Sequence, residues 1–167
     1  MNAPQQLTHA TAPLGTLLAG GILLGRFFLE AQGFALIGAP KAEGEFPRTV
    51  WSKSTKRVDG ALSDFDGLAN SRAMAEAGSP LAAKILALRL ADHDDWYLPS
   101  RGELLLGWSA RAAMAEAERF EEDLYWSSTQ SAVVSGDAWY QSFLYGYQDY
   151  WRKASKFLAR AVRRVTI

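Results

Sequence analysis

The chain has 167 residues, of which 49% are hydrophobic and 12% aromatic, with six Trp. That length suits one domain able to bury a core without metals or disulfides. Lys plus Arg equals Asp plus Glu at 18 each, so no global field steers the chain to nucleic acid or an anionic membrane, and zero Cys excludes disulfides, thiolate catalysis and Cys metal sites.

Residues 1–13 hold Asn, Gln, Thr and two Pro with little periodicity and read as an N-terminal arm, with residues 14–167 as a single domain. Met1 to His9 lacks a basic n-region, and Arg26 and Glu30 interrupt the apolar run that follows, so neither a signal peptide nor a membrane span is expected. Leu14–Leu29 and Phe34–Gly38 flank Glu30-Ala31-Gln32-Gly33, which predicts an N-terminal β-hairpin whose second strand is buried on both faces. Residues 40–47 read as a loop, and Lys53, Lys56 and Arg57 as a solvated basic face. Asn70 or Ser71 is positioned to cap a helix through Met74–Glu76, and a second helix is predicted from Pro80 to about Leu90.

Ala91-Asp92-His93-Asp94-Asp95 invites a metal reading. Consecutive loop residues point in different directions and do not all converge on one ion, so a turn is preferred, with calcium as the alternative. In Asp95-Trp96-Tyr97-Leu98-Pro99-Ser100-Arg101-Gly102-Glu103 a short strand ends at Pro99, and Ser100 with Glu103 has the spacing of a capping box. The helix it opens carries Leu104, Leu105, Trp108 and Ala112 and is predicted to reach about Ala117, before an acidic run from Glu116 to Asp123.

From Leu124 the period changes to two. Strands are predicted at 124–129, 138–144, 150–153 and 158–166, so the fold class is α+β, with two main helices and short antiparallel strands. A strand cannot turn Arg160, Arg163 and Arg164 all one way, and Arg163 is assigned a structural, inward role. The basic C-terminal residues are expected to neutralise the acidic Glu116–Asp123 segment.

Gly146 marks a hairpin turn flanked by Tyr145, Tyr147, Gln148, Asp149, Tyr150 and Trp151. Rings with amides and a carboxylate in a turn stack on apolar faces and give directional hydrogen bonds, or else fill gaps between loops; at least some of Tyr145, Tyr147, Tyr150 and Trp151 are expected to be exposed. No Gly-x-Ser-x-Gly, phosphate loop or His-Glu-x-x-His is present, the only imidazoles are His9 and His93, and nothing singles out a carboxylate pair of Asp149 with Glu103. The chain is therefore read as non-enzymatic, with no cofactor and no bound metal.

The ordered motifs Trp96-Tyr97-Leu98-Pro99-Ser100-Arg101, Tyr125-Trp126-Ser127-Ser128-Thr129, Asp137-Ala138-Trp139-Tyr140 and Arg160-Ala161-Val162-Arg163-Arg164-Val165 resemble the C-type-lectin-like domain at the C-terminus of the Legionella collagen-like protein, also found in bacterial and phage proteins. The resemblance implies a C-type-lectin-like fold in which Trp139 and Phe143 pack inward while Tyr140 and Ser142 face out. It also implies a ligand face on Tyr140, Ser142, Tyr145, Tyr147, Gln148, Asp149, Tyr150, Trp151 and Arg152. The triplets of calcium-dependent sugar binding are absent, and so are the cysteines of the formylglycine-generating enzymes of similar shape. The implied role is a phage or prophage virion component, a tail-tip or baseplate module made in the bacterial host cytoplasm. It would recognise a host cell-surface glycan or protein, dock on other virion proteins and form a homo-oligomer, with no nucleic acid and no membrane insertion. The alternative is an architectural decoration or baseplate protein whose aromatic face is buried against neighbouring subunits.

Overall fold

The structure, a computed structural model, describes residues 8–167. Two antiparallel-rich sheets and four helices make up this part of the chain, an α+β architecture. In chain order the strands are β1 (Leu17–Leu18), β2 (Gly21–Leu29), β3 (Gln32–Gly38), β4 (Glu45–Val50), β5 (Leu124–Gln130), β6 (Asp137–Ser142), β7 (Gln148–Arg152), β8 (Lys156–Arg160) and β9 (Val162–Thr166). The helices are α1 (Lys41–Gly44), α2 (Gly67–Glu76), α3 (Pro80–Leu86) and α4 (Arg101–Ala110).

The predicted N-terminal hairpin is β2–β3, and it lies in a sheet of order β1-β2-β3-β9. Its second strand is buried on both faces, as its composition suggested. Leu36 joins Ile22, Leu24 and Phe27 in the core under α4, while Ala35 and Ile37 pack with Leu23 and Ala12 on the opposite side. Ala12 reaches that position because the Arg26 guanidinium, placed on β2, donates to the carbonyls of His9 and Ala12. Of the expected arm, residues 1–7 lie outside the described residues, and the stretch from His9 to Ala12 is docked on its own sheet.

The region predicted as a loop at 40–47 instead contains the helical turn α1 and the start of β4. Strand β4 is the edge of a second sheet of order β4-β8-β5-β6-β7, in which β5 and β8 run parallel. The single C-terminal strand expected over 158–166 is two strands in two sheets: β8 pairs with β4 and β5, Ala161 makes the crossing, and β9 pairs with β3. This switch sends both Arg160 and Arg163 inward, which an unbroken strand cannot do at that spacing.

Arg163 has the structural role assigned to it. Arg160 is also buried, donating to the Ala39 carbonyl and to both the backbone and carboxylate of Glu118. The acidic segment is thus partly neutralised by the C-terminal strand, and Lys41 and Arg48 pair with Glu121 and Asp123.

Helix α2 begins earlier than predicted, because its cap is Asp66, whose carboxylate accepts from the Ala69 N–H. Asn70 and Ser71 lie inside the helix and face the core. Ser71 both donates to the Leu98 carbonyl and accepts its N–H, and Asn70 exchanges two bonds with Ser63. Ser71 therefore docks the helix onto Leu98, and Asn70 ties it to the Ser63 loop that leads into it, rather than starting it. Helix α3 is capped by Ser79 and stops at Leu86, ahead of the expected Leu90. Leu90 and His93 then exchange backbone bonds across Ala91 and Asp92, both at positive φ, so 90–93 is a tight reversal, the turn expected there.

The capping box of α4 is complete: Ser100 Oγ accepts from the Glu103 N–H, and Glu103 Oε2 accepts from the Ser100 N–H at 2.7 Å. The helix ends at Ala110 rather than near Ala117, and two 3-10 turns, Arg111–Ala113 and Glu116–Glu118, carry the chain on. Met114 between them is extended and buried with Phe120 in the core, a packing that a continued helix would forbid. Trp51, Trp96 and Trp126 are fully buried, each contributing on the order of 3 kcal/mol.

Candidate binding face

Strand β6 runs between β5 and β7, so its side chains have neighbours on both flanks. Cross-strand pairing sets Tyr140 opposite Asp149, Ala138 opposite Trp151, and Trp139 opposite Tyr150. Since side chains alternate along each strand, the predicted ligand residues divide between two faces. Asp149 and Trp151 share the front face with Tyr140, while Gln148, Tyr150 and Arg152 stand on the back face with Trp139.

Two residues expected to face outward do not. Tyr140 is 7% exposed and Ser142 is 1% exposed. Tyr140 is wedged edge-on against Phe157 of β8 at 5.1 Å and Tyr147 at 6.2 Å. Ser142 accepts the Tyr145 N–H with its hydroxyl and so shapes the turn from within. Alternation identifies which residues share a face, but a loop or strand from elsewhere decides whether that face is covered. Here β8 supplies the ring that closes over Tyr140.

The turn itself is open. Tyr145 is 75% exposed, Tyr147 48% and Trp151 54%. Tyr145 and Tyr147 lie nearly parallel, with ring centres 6.4 Å apart and planes 14° from each other. Gly146, at φ +83°, makes this possible, since a side chain there would be strained and its Cβ would meet the Trp108 ring at 2.5 Å. Between these rings and Glu122, Asp123 and Leu124 lies a shallow cleft of about 140 Å³, also lined by Leu144. The Asp123 carboxylate at its rim is held by Arg48.

On the back face, the Arg101 guanidinium sits 3.9 Å over the Trp139 ring and Tyr150 packs edge-on against the same ring at 5.1 Å. Gln148 donates to the Arg101 carbonyl, which ties the hairpin to the start of α4. Asp149 is exposed, and its carboxylate accepts the N–H of Tyr150. Arg152 is exposed at the end of β7.

The electrostatics of the front face suit neutral rings. Burial, then the neighbouring Tyr147 hydroxyl, push the Tyr140 hydroxyl up to about 12. A larger cleft of about 610 Å³ lies elsewhere, between α1, the start of β4 and Glu118. Its charged groups serve the fold: Glu118 meets Arg160, Lys41 meets Glu121, and Glu45, its carboxyl raised by burial, accepts from Tyr125.

The Ser127-Ser128-Thr129 hydroxyls are buried. Ser127 donates to the Trp139 carbonyl and Thr129 to the Ser63 carbonyl, so two of the three join elements of the core. Among the described residues neither His9 nor His93 hydrogen-bonds a Ser or Thr hydroxyl through its ring, and Glu103 is wholly buried while Asp149 is exposed. No group of three or more His, Asp or Glu among the described residues is placed to hold a metal ion.

Sequence reasoning missed Leu144, Glu122 and Asp123 as cleft walls, because they reach Tyr145 and Tyr147 through the fold and not through local pattern. The family model of the Lcl C-terminal domain matches residues 42–163, well over half of the chain, and takes in α1 to α4, the hairpin β6–β7 and β8. Strands β1 to β3 lie outside the match. No curated protein matches the chain.

Proposed function

The chain belongs to the family of Lcl C-terminal domains, binding or structural modules, and from that premise we propose that it is a non-enzymatic receptor-binding component of a phage or prophage particle. In this reading the domain has a C-type-lectin-like arrangement and contacts a host cell-surface glycan or protein with the front face of the β6–β7 hairpin. The observation that carries it is the exposure of Tyr145, Tyr147 and Trp151 on one hairpin. Flat rings exposed together on a rigid support give large contact area at low ordering cost, the usual composition of an anchor point. Asp123 and Asp149 are already engaged by Arg48 and the Tyr150 N–H, which favours recognition by rings and hydrogen bonds over a calcium bridge.

Assembly in the bacterial cytoplasm onto other virion proteins completes the reading. The architectural alternative draws support from Leu17 and Phe28, both exposed on strands β1 and β2, which lie outside the family match. The test is retention of the labelled protein on candidate host cells and extracted surface glycans, in calcium and in chelator. Retention that survives chelation supports the reading, and absence of binding to every permissive host moves the conclusion to the architectural role.

A further inference from the structure

The two edges of the second sheet are finished differently. Edge β4 carries Pro47 in its middle and a register shift between Phe46 and Thr49, two devices that spoil an edge as a template for another strand. Edge β7 has neither. Its five residues pair with β6 in unbroken register from Arg152 to Gln148 and contain no proline.

The register also fixes which backbone groups point outward. The Ser142 N–H donates to the Tyr147 carbonyl and the Lys153 N–H to the Gly136 carbonyl, so the hydrogen-bonded pairs along the hairpin include Tyr140 with Asp149 and Ala138 with Trp151. Gln148, Tyr150 and Arg152 are the non-bonded positions, and their N–H and C=O groups face away from β6. Two of these groups are occupied locally: the Tyr150 N–H by the Asp149 carboxylate, and the Arg152 carbonyl by the Ser155 N–H. The remaining groups on Gln148, Tyr150 and Arg152 form a short open ladder next to exposed Trp151 and Tyr147.

We propose that β7 is the self-association edge of this protein, pairing antiparallel with β7 of a second copy so that the two sheets become one. A copy of the same chain fits for two reasons. The chain has a formal net charge of +0, so two copies approach without repulsion. Antiparallel pairing centred on Tyr150 sets Arg152 opposite the partner's neutral Gln148 and Asp149 opposite its Trp151, whereas in-register parallel pairing sets Arg152 beside Arg152 and Asp149 beside Asp149. Centred on Tyr150, the pairing exchanges its N–H from Asp149 to the partner's backbone. It also joins the two front faces, so that Tyr147 and Trp151 of both copies form one continuous strip. This deepens the binding-face reading, since each copy then contributes rings to one site. The association itself is measured without any ligand, and its failure is separable from failure of receptor binding.

The test is sedimentation equilibrium of the wild type from low micromolar to sub-millimolar concentration, beside Gln148→Pro and Arg152→Pro. Proline at either position removes an outward N–H and leaves the ladder to β6 intact. Hydrogen exchange at the Gln148 and Arg152 amides of the wild type, followed against concentration, reads the same edge without any substitution. The expected result is a reversible dimer that protects both amides as it forms and that each proline variant weakens at least tenfold with unchanged circular dichroism. A wild type monomeric throughout, a dimer that leaves both amides unprotected, or folded proline variants that dimerise as well as wild type would overturn the proposal.

Discussion

Arg163 grips Asp95 with two parallel bonds, Nε to Oδ1 at 2.6 Å and Nη2 to Oδ2 at 2.9 Å, and spends its third arm on the Ala19 carbonyl. One side chain therefore ties β9 to the head of the Trp96–Leu98 segment and to the β1–β2 turn. The same junction is closed by two backbone bonds between Tyr97 and Val162. Arg163→Ala removes the bonds that a buried guanidinium makes to the half-exposed Asp95 carboxylate and to the Ala19 carbonyl, and should cost about 1–2 kcal/mol in urea unfolding. Burial pushes the Asp95 carboxyl up, but the bond and charge of Arg163 override it and hold it below its ordinary value of 3.8. A depressed acid stabilises the fold above its unfolded pKa and loses that contribution as pH falls below about 4. Arg163→Met should therefore flatten the acid limb of stability against pH.

Glu103 is the opposite case. It is fully buried and accepts from the Tyr97 hydroxyl at 2.6 Å and the Ser100 N–H at 2.7 Å. Burial raises its pKa from 4.5 to about 7, outweighing those bonds. Between these values the folded protein holds a proton that the unfolded chain has shed. Its stabilising effect is therefore complete below pH 4.5 and is lost as pH rises through 7, up to ~3 kcal/mol in all. Glu103→Gln keeps the Ser100 bond and can donate to Tyr97, so thermal melts of that variant should lack this decline.

Lys153 is buried, donating to the Lys56 carbonyl and to Gln130 Oε1 beside the Trp51 ring. Burial lowers its pKa from 10.5 to about 8. Below pH 8 folded and unfolded chains both carry the proton, so the cost of burying the charge is present in full. From 8 toward 10 the unfolded chain binds more proton than the fold, and stability from this group rises with pH. Chemical denaturation at pH 7.5 and 9.5 should show that rise in wild type and not in Lys153→Met.

Gly146→Ala should destabilise the protein by on the order of 2–3 kcal/mol, since the position combines positive φ with a Cβ against the Trp108 ring. The accompanying change should be an altered near-ultraviolet circular dichroism signal from the hairpin rings with secondary structure retained. An unchanged melting temperature would mean that the left-handed backbone at Gly146 and its closeness to Trp108 do not hold the turn.

What could be read in the sequence was local. The capping box at Ser100 and Glu103 is settled by contacts within a few residues and the turn at Gly146 by its own backbone angle, and both appear as expected. Alternation required at least one of Arg160, Arg163 and Arg164 to turn inward, and Arg163 is one of the two that do. The division of the last strand at Ala161 did not, because a strand that changes sheets keeps its extended pattern while changing partners. The burial of Tyr140 depends on Phe157, distant in the chain, and Ser71 lies inside α2 and not at its start because it bonds Leu98 across the core while Asp66 supplies the cap. Of the nine residues assigned to the ligand face, Tyr140 and Ser142 are interior, and the rest divide between the turn and the two sides of the hairpin.

The most direct test of the binding face compares retention of three folded proteins on the same host cells in chelator: wild type, Tyr147→Ala with Trp151→Ala, and Leu17→Ala with Phe28→Ala. Both pairs remove exposed apolar side chains, so general stickiness falls in each. At least a tenfold loss is expected for the hairpin pair and little change for the N-terminal pair. Equal binding by the hairpin pair and wild type, or loss only in the N-terminal pair, would contradict a binding face on the hairpin.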